Sequence, residues 1–529
     1  MPSQGWIRQS SPCFSLRAAM QLSLRTLALL AVPAHFSVAS PVHGSHEGRI
    51  VRNDAFAVQG ASWPNNIDVD FFGNIPYAEP PIGDRRFRPP VTKAPVPDTV
   101  INGSWFGPSC VQYSNGATTV YSQYLTGFLL SPGQTQDEDC LTLNVWAPKG
   151  TREGDNKAVM IWIHGGGHTS GGSASPYKYG DRLAADQDVI VVSMNYRLNI
   201  FGYPGAAALD GRNLNPGLMD QRKAVEWTYN NINAFGGDPK HMTLFGQSAG
   251  GTSVDYYNYA YWQDPLIAGF ITQSGVAKDE DEYDASGSNF TYVASAVGCG
   301  DDTTNKDELF KCMQTVDATA IINVYNNYNA TLNGGKSLSF STRADNQTKF
   351  SNYTDLQARG LFARLPTIYA QVNNEGTSLI QYNESGVNQT EADARTLSLA
   401  TCPGAAASAA RVAYDVPVWR TRYFGEWPNL NPLSWLGAYH SSDIPLIFGT
   451  LDLRGPDTEQ ERKVSEDFQT AWATFAKDPA AGLVEYGWPT YKPDEKTLVE
   501  LGVQGRTSAT FDVGTAFDGP CADLRRRRW

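Results

Sequence analysis

Basic residues are in short supply. The chain has 42 Lys and Arg against 54 Asp and Glu, a formal charge of -12 at pH 7. Three of the basic residues, Arg8, Arg17 and Arg25, fall in the first 39 positions, where there is no acid, so 39 basic against 54 acidic residues leave the remainder at -15. Neutralising phosphates takes a basic surface, and this balance excludes nucleic-acid binding as the main role. After the N-terminus no apolar run reaches the length of a membrane span. No internal repeat appears, nor a linker that would split the chain in two. With 529 residues and 41% hydrophobic composition, the chain can still bury a large core.

What is present begins at Met20. The stretch "MQLSLRTLALLAVPAHFSVAS" has a basic start at Arg25, an apolar centre, and small residues Ser37 and Ala39 at the spacing a signal peptidase reads. Residues 1–39 are therefore expected to be an N-terminal extension plus secretory signal, with Pro33 against a buried helix there, and residues 40–529 to be one catalytic domain. Residues 1–19 lie upstream of a second good start at Met20.

Cysteine is scarce and odd in number, at seven, but Cys13 lies in the segment expected to be removed. The other six allow fifteen connectivities, among which sequence alone does not choose. Proximity favours Cys110 with Cys140 and Cys299 with Cys312, leaving Cys402 for Cys521. Sequons at Asn102, Asn289, Asn329, Asn346, Asn352, Asn383 and Asn388 fit the same oxidising, glycosylating route. Five of the seven fall between 329 and 388, so that polar stretch is expected to form exposed loops and surface helices. A soluble, secreted protein is expected.

Residues 158–163, "AVMIWI", and 189–194, "VIVVSM", are continuous apolar runs of the kind that form strands buried on both faces. A helix is expected from Pro216, with Leu218, Val225, Ile232 and Phe235 at near-helical spacing and Gly236 and Gly237 closing it. "MTLF" returns as a strand, "TSVDYYNYA" reads as helix, and "LIAGFITQSG" as the next strand. Such alternation implies an α/β fold, a large mostly parallel central sheet with helices on both faces, and ligands sit at the carboxyl ends of its strands.

"HMTLFGQSAGG" places Ser248 at one such end, between Gly246 and Gly250. G-x-S-x-G is cheap in a chain with 49 glycines, but a strand-to-helix turn is the context in which the pattern holds up a nucleophilic serine. A serine hydroxyl needs a base and a group that orients the base. On this architecture the order is serine, acid, histidine. Of seven histidines, His35, His43, His46, His164, His168, His241 and His440, only His440 follows Ser248. Glu375, after the strand-like run in "LPTIYAQVNNEGTSLI", is the expected acid. Its main rival, Asp415, precedes a strand and would sit at the wrong end, and Asp279 and Asp281 belong to a charged cluster expected to face solvent. "HGGGHTSGG" supplies backbone donors for an oxyanion, assigned to Gly166, Gly167 and Ala249, with His164 and His168 in structural roles.

In chain order, "IPYAEPPIGDRRFRPP", "EDCLTLNVWAP", "WIHGGG", "NYRL", "GLMDQRKAVEW", "FGGDP" and "FGQSAGG" resemble the landmarks of type-B carboxylesterases, the group that includes cholinesterases and fungal secreted lipases. The likeness is dense from about residue 48 to 275, then thins to the Glu375 turn, the His440 segment and the cysteine spacing. It implies an α/β-hydrolase fold with Ser248, Glu375 and His440 as triad, and a Cys110–Cys140 loop bordering the gorge. Cholinesterases carry a tryptophan in that loop to hold a quaternary ammonium. Here the loop has Tyr and Phe but no Trp, which argues against choline esters. Many relatives have Glu where this chain has Gln247.

The expected activity is serine ester hydrolysis on a small-molecule or lipid ester, needing no metal or organic cofactor. A lipase whose 110–140 loop, with "YLTGFLL", acts as a lid is the close alternative. A catalytically silent adhesion module is the distant one, since relatives of that kind lack the serine or histidine that this chain keeps.

Overall fold

The computed structural model describes residues 48–522 apart from 65, 114–117, 280–283, 285 and 334–336. The expected leader at 1–39 and Asp281 lie outside the described residues.

The sheet begins with β1 (Ala61–Trp63), β2 (Asn66–Pro76), β3 (Thr142–Pro148), β4 (Lys157–Ile163) and β5 (Ile190–Met194). It continues with β6 (Gly237–Gln247), β7 (Gly269–Gln273), β8 (Thr367–Val372), β9 (Val418–Tyr423), β10 (Lys496–Leu501) and β11 (Thr510–Val513). The eleven strands lie in the order β11-β10-β9-β8-β7-β6-β4-β5-β3-β2-β1. Every pairing from β10 through to β5 is parallel, and the strands beyond them are antiparallel. The sheet is mostly parallel, as expected, with antiparallel strands at both edges.

Side-chain alternation along β4 divides the core between two faces. Met160 and Trp162 join one cluster, with Phe468 and Trp472. Val159, Ile161 and Ile163 join the other, with Ala224, Val225 and Val254. The helices α1 (Pro216–Asn231) and α2 (Ala249–Ala260) contribute to the second face, and α6 (Glu459–Lys477) to the first. Between them in sequence lie α3 (Tyr353–Arg359), α4 (Cys402–Ala413) and α5 (Ile444–Phe448). Pro216 occupies the first turn of α1, where its missing N–H costs nothing. No helix among the described residues is long and apolar enough to cross a membrane.

Disulfides join Cys110 to Cys140, Cys299 to Cys312, and Cys402 at the start of α4 to Cys521. Asn102, Asn329, Asn346, Asn352, Asn383 and Asn388 are exposed, whereas Asn289 is half-buried. Its Nδ2 donates to the Ser339 carbonyl at 2.8 Å. The 329–388 stretch is less exposed than its polarity suggests. Thr342, Arg343, Asp345, Thr348 and Lys349 are buried; Asp345 accepts from the Thr348 N–H at 2.8 Å, Lys349 Nζ donates to the Thr342 carbonyl at 3.2 Å, and Arg343 ties the segment to the body. Arg343 Nη1 donates to the Gly205 carbonyl, and its own carbonyl accepts from Asn215 Nδ2.

Candidate active site

β6 ends at Gln247 and α2 starts at Ala249, so Ser248 alone makes the turn, with φ 59° and ψ -126°. A non-glycine residue there carries roughly 1–3 kcal/mol of strain and needs support from its surroundings. The Ser248 N–H donates to the Gln273 carbonyl at 2.8 Å, and its carbonyl accepts from Thr252 N–H at 2.9 Å. Glycine is needed on either side because the chains are pressed together. A Cβ on Gly246 would stand 2.7 Å from the Gly250 carbonyl, and one on Gly250 only 2.1 Å from the Ile163 oxygen. The motif does not reveal a further partner, Gly275, whose Cβ would lie 2.0 Å from the Ser248 oxygen. Ser248 itself is half-buried.

The turns after β8 and β9 bring the acid and the histidine together. Asn374 and Tyr439 form a parallel β-bridge, in which Asn374 N–H donates to the Ala438 carbonyl at 2.8 Å. Beside that stitch, His440 Nδ1 stands 2.5 Å from Glu375 Oε2. Glu375 is fully buried, and its other oxygen accepts from Val372 N–H at 3.0 Å. With Nδ1–H donated to the carboxylate, Nε2 carries a lone pair. That lone pair accepts from Gln247 Nε2 at 3.1 Å, so the Nε2 edge of the imidazole meets the side chain of the residue that precedes Ser248.

Gly166 and Gly167 take φ values of 115° and 63° in the loop after β4. Among the described residues neither donates its N–H to a main-chain carbonyl. The loop folds back on itself, with Thr169 and Ser170 both donating N–H to the Gly166 carbonyl at 3.0 Å. Two histidines hold it. His164 stacks on Tyr196 with centroids 4.3 Å apart and donates Nδ1–H to the Gly165 carbonyl at 2.8 Å. Burial pushes its pKa down to about 3, so this imidazole is neutral. His168 Nε2 meets Ser253 Oγ on α2 at 2.9 Å.

The rival acids lie elsewhere. Asp415 is exposed in the turn leading into β9. Asp279 does not simply face solvent, as its charged surroundings led us to expect. Its carboxylate caps α3, accepting from Tyr353 N–H at 2.5 Å and Thr354 Oγ1 at 2.6 Å, which suits a negative charge at a helix start.

Three further residues belong to this region. Gln247 carries the amide that touches His440. Asp443, three residues after the histidine, is buried, with Oδ2 accepting from Gln273 Nε2 at 3.3 Å and, among the described residues, no hydrogen-bond partner for Oδ1. Burial first, then the nearby Glu375 charge, raises its pKa to about 7. Tyr121, from the Cys110–Cys140 loop, donates its hydroxyl to the His440 carbonyl at 2.6 Å. Sequence pattern signals only the first, through its position beside Ser248.

The carboxylesterase family model matches residues 49–404 and 392–515. The chain is 37% identical over 492 residues to the chlorogenic acid esterase of Aspergillus niger, covering 89% of this chain and 94% of that protein. It is 34% identical over 532 aligned residues to secreted lipase 5 of Gibberella zeae, covering 94% and 98% respectively. A solved structure of PNB esterase superposes with a TM-score of 0.74 at 26% identity, covering 91% of this chain and all of that one.

Proposed function

The chain belongs to the carboxylesterase family, and on that premise we propose that it is a secreted serine hydrolase of carboxylic esters whose triad is Ser248, His440 and Glu375. The observation that carries the reading is the imidazole held between Glu375 at 2.5 Å and, at 3.1 Å, the amide of Gln247, the residue next to Ser248. His440 Nε2 takes the hydroxyl proton, and Ser248 Oγ attacks the ester carbonyl. The alcohol leaves with the proton returned by His440, and water repeats the sequence on the acyl-enzyme. Glu375 keeps the proton on Nδ1 and stabilises the imidazolium. Gly166, Gly167 and Ala249 N–H groups receive the oxyanion, each worth about 3 kcal/mol of barrier. For Nε2 to reach Ser248, the Gln247 amide must yield its hydrogen bond.

Export is supported by three disulfides, by sequons and by a relative named as a secreted lipase. In this reading residues 1–39 are removed and 40–529 act as one catalytic domain. The acyl and alcohol groups fall within the range of the relatives' names, which include a chlorogenic acid ester and lipids. Absence of a tryptophan in the Cys110–Cys140 loop disfavours choline esters. Ser248→Ala should abolish hydrolysis of a short aryl ester and labelling by an organophosphate while leaving the thermal midpoint unchanged. Turnover by that variant at the wild-type rate would end the proposal.

A further inference from the structure

The loop closed by Cys110–Cys140 does more than border the site. Its helical turn Val120–Gln123 is capped by Thr119, and beyond it Leu125 and Phe128 are buried with Val120 in the main core. Phe128 packs on Tyr177 with centroids 4.6 Å apart, and its carbonyl accepts from Ser175 Oγ at 3.0 Å and Lys178 Nζ at 3.3 Å. Tyr121 meets Phe128 edge-on at 5.8 Å. Held in this way, the Tyr121 hydroxyl touches both catalytic turns at once. It donates to the His440 main-chain carbonyl at 2.6 Å and accepts from Ser378 Oγ at 3.0 Å, and Ser378 lies three residues after Glu375.

We propose that Tyr121 is a positioning residue for His440, and that residues 120–128 form a fixed wall whose closure keeps the base in register, so that the enzyme works on dispersed ester molecules with this wall shut. The inference rests on the reading of His440 as the base. A phenol suits the task, because burial raises its pKa well above the ordinary value and leaves it a neutral donor throughout the working range. Swinging the wall outward as a lid would pull Tyr121 from the His440 carbonyl, expose Val120, Leu125 and Phe128, and strip two donors from the Phe128 carbonyl. A displacement of about 1 Å at a catalytic group can cost on the order of 100-fold in rate. Opening the wall therefore works against turnover.

Tyr121→Phe keeps the ring and removes only the hydroxyl. The expected result is a kcat about tenfold lower, with organophosphate labelling of Ser248 slowed to match and KM within about twofold of wild type. A purely structural role for the loop would not single out kcat. Unchanged kcat, or a loss confined to KM, would overturn the inference while leaving the triad reading intact, since Ser248→Ala tests that reading separately. Should Tyr121→Phe fail to fold, the wild-type enzyme supplies a second measurement. Specific activity on tributyrin should rise smoothly across the solubility limit. A jump on crossing it would mean that the wall opens in the active state, and the inference would fall.

Discussion

Asp443→Asn is expected to make the protein more stable at pH 8 than at pH 5 relative to wild type. In the unfolded chain the carboxyl titrates near 3.8, and in the fold near 7, because burial and the Glu375 charge disfavour ionisation. Between these values the folded state keeps a proton that the unfolded chain has released. Wild-type stability therefore falls as pH rises from about 4 to about 7, then levels off, opposite to the usual behaviour of a salt-bridged carboxylate. At about 1.4 kcal/mol per pH unit, the full penalty is about 4 kcal/mol at pH 8, of which more than half accrues above pH 5. An asparagine is never ionised and escapes the penalty. For a chain of this size 1 kcal/mol corresponds to roughly 1–2 °C. The midpoint difference between variant and wild type, read by scanning fluorimetry, should therefore grow by roughly 4 °C from pH 5 to pH 8. A difference that stays constant, or is larger at pH 5, would show that Asp443 is ionised in the fold, and the account of its surroundings would be wrong.

Glu375→Gln should reduce kcat on the order of 10⁴-fold, because an amide can present N–H to His440 Nδ1 and impose the wrong tautomer. Steady-state kinetics on a neutral aryl ester would check it, and a loss below tenfold would point to a different orienting acid. Gly250→Ala should yield little folded protein, since the added Cβ would meet the Ile163 oxygen at 2.1 Å. Secreted yield and thermal midpoint report this directly, and a variant of normal stability would show that the chains are free to part there.

The parts of the site that lie close together in sequence were the legible ones. Ser248, with glycines on both sides and a strand before it, carries its geometry in a few residues. The alternating apolar runs fixed the parallel middle of the sheet, because strands buried on both faces have no polar positions to disguise them. The antiparallel edges were not visible, since β1 spans only three residues and β11 is four residues long and half-exposed. His440 and Glu375, singled out by elimination and by a place after a strand, do meet in the fold, at 2.5 Å. Charge density around Asp279 does not equal exposure, because its carboxylate caps a helix start more than seventy residues away. Tyr121 and Asp443 left no trace in the pattern. One acts through a contact 319 residues distant in sequence, and the other matters for what surrounds it.

The bridge between Asn374 and Tyr439 turns the segment between Glu375 and His440 into a detour whose two ends are fastened together. Such an excursion can lengthen, shorten or take on sugars at Asn383 and Asn388 without altering the spacing of the pair it connects. Were the backbone cut near those exposed asparagines, the two pieces would remain sewn at the seam and along the neighbouring strands β8 and β9. Changes there would alter the surface while the Glu375–His440 contact stays as it is.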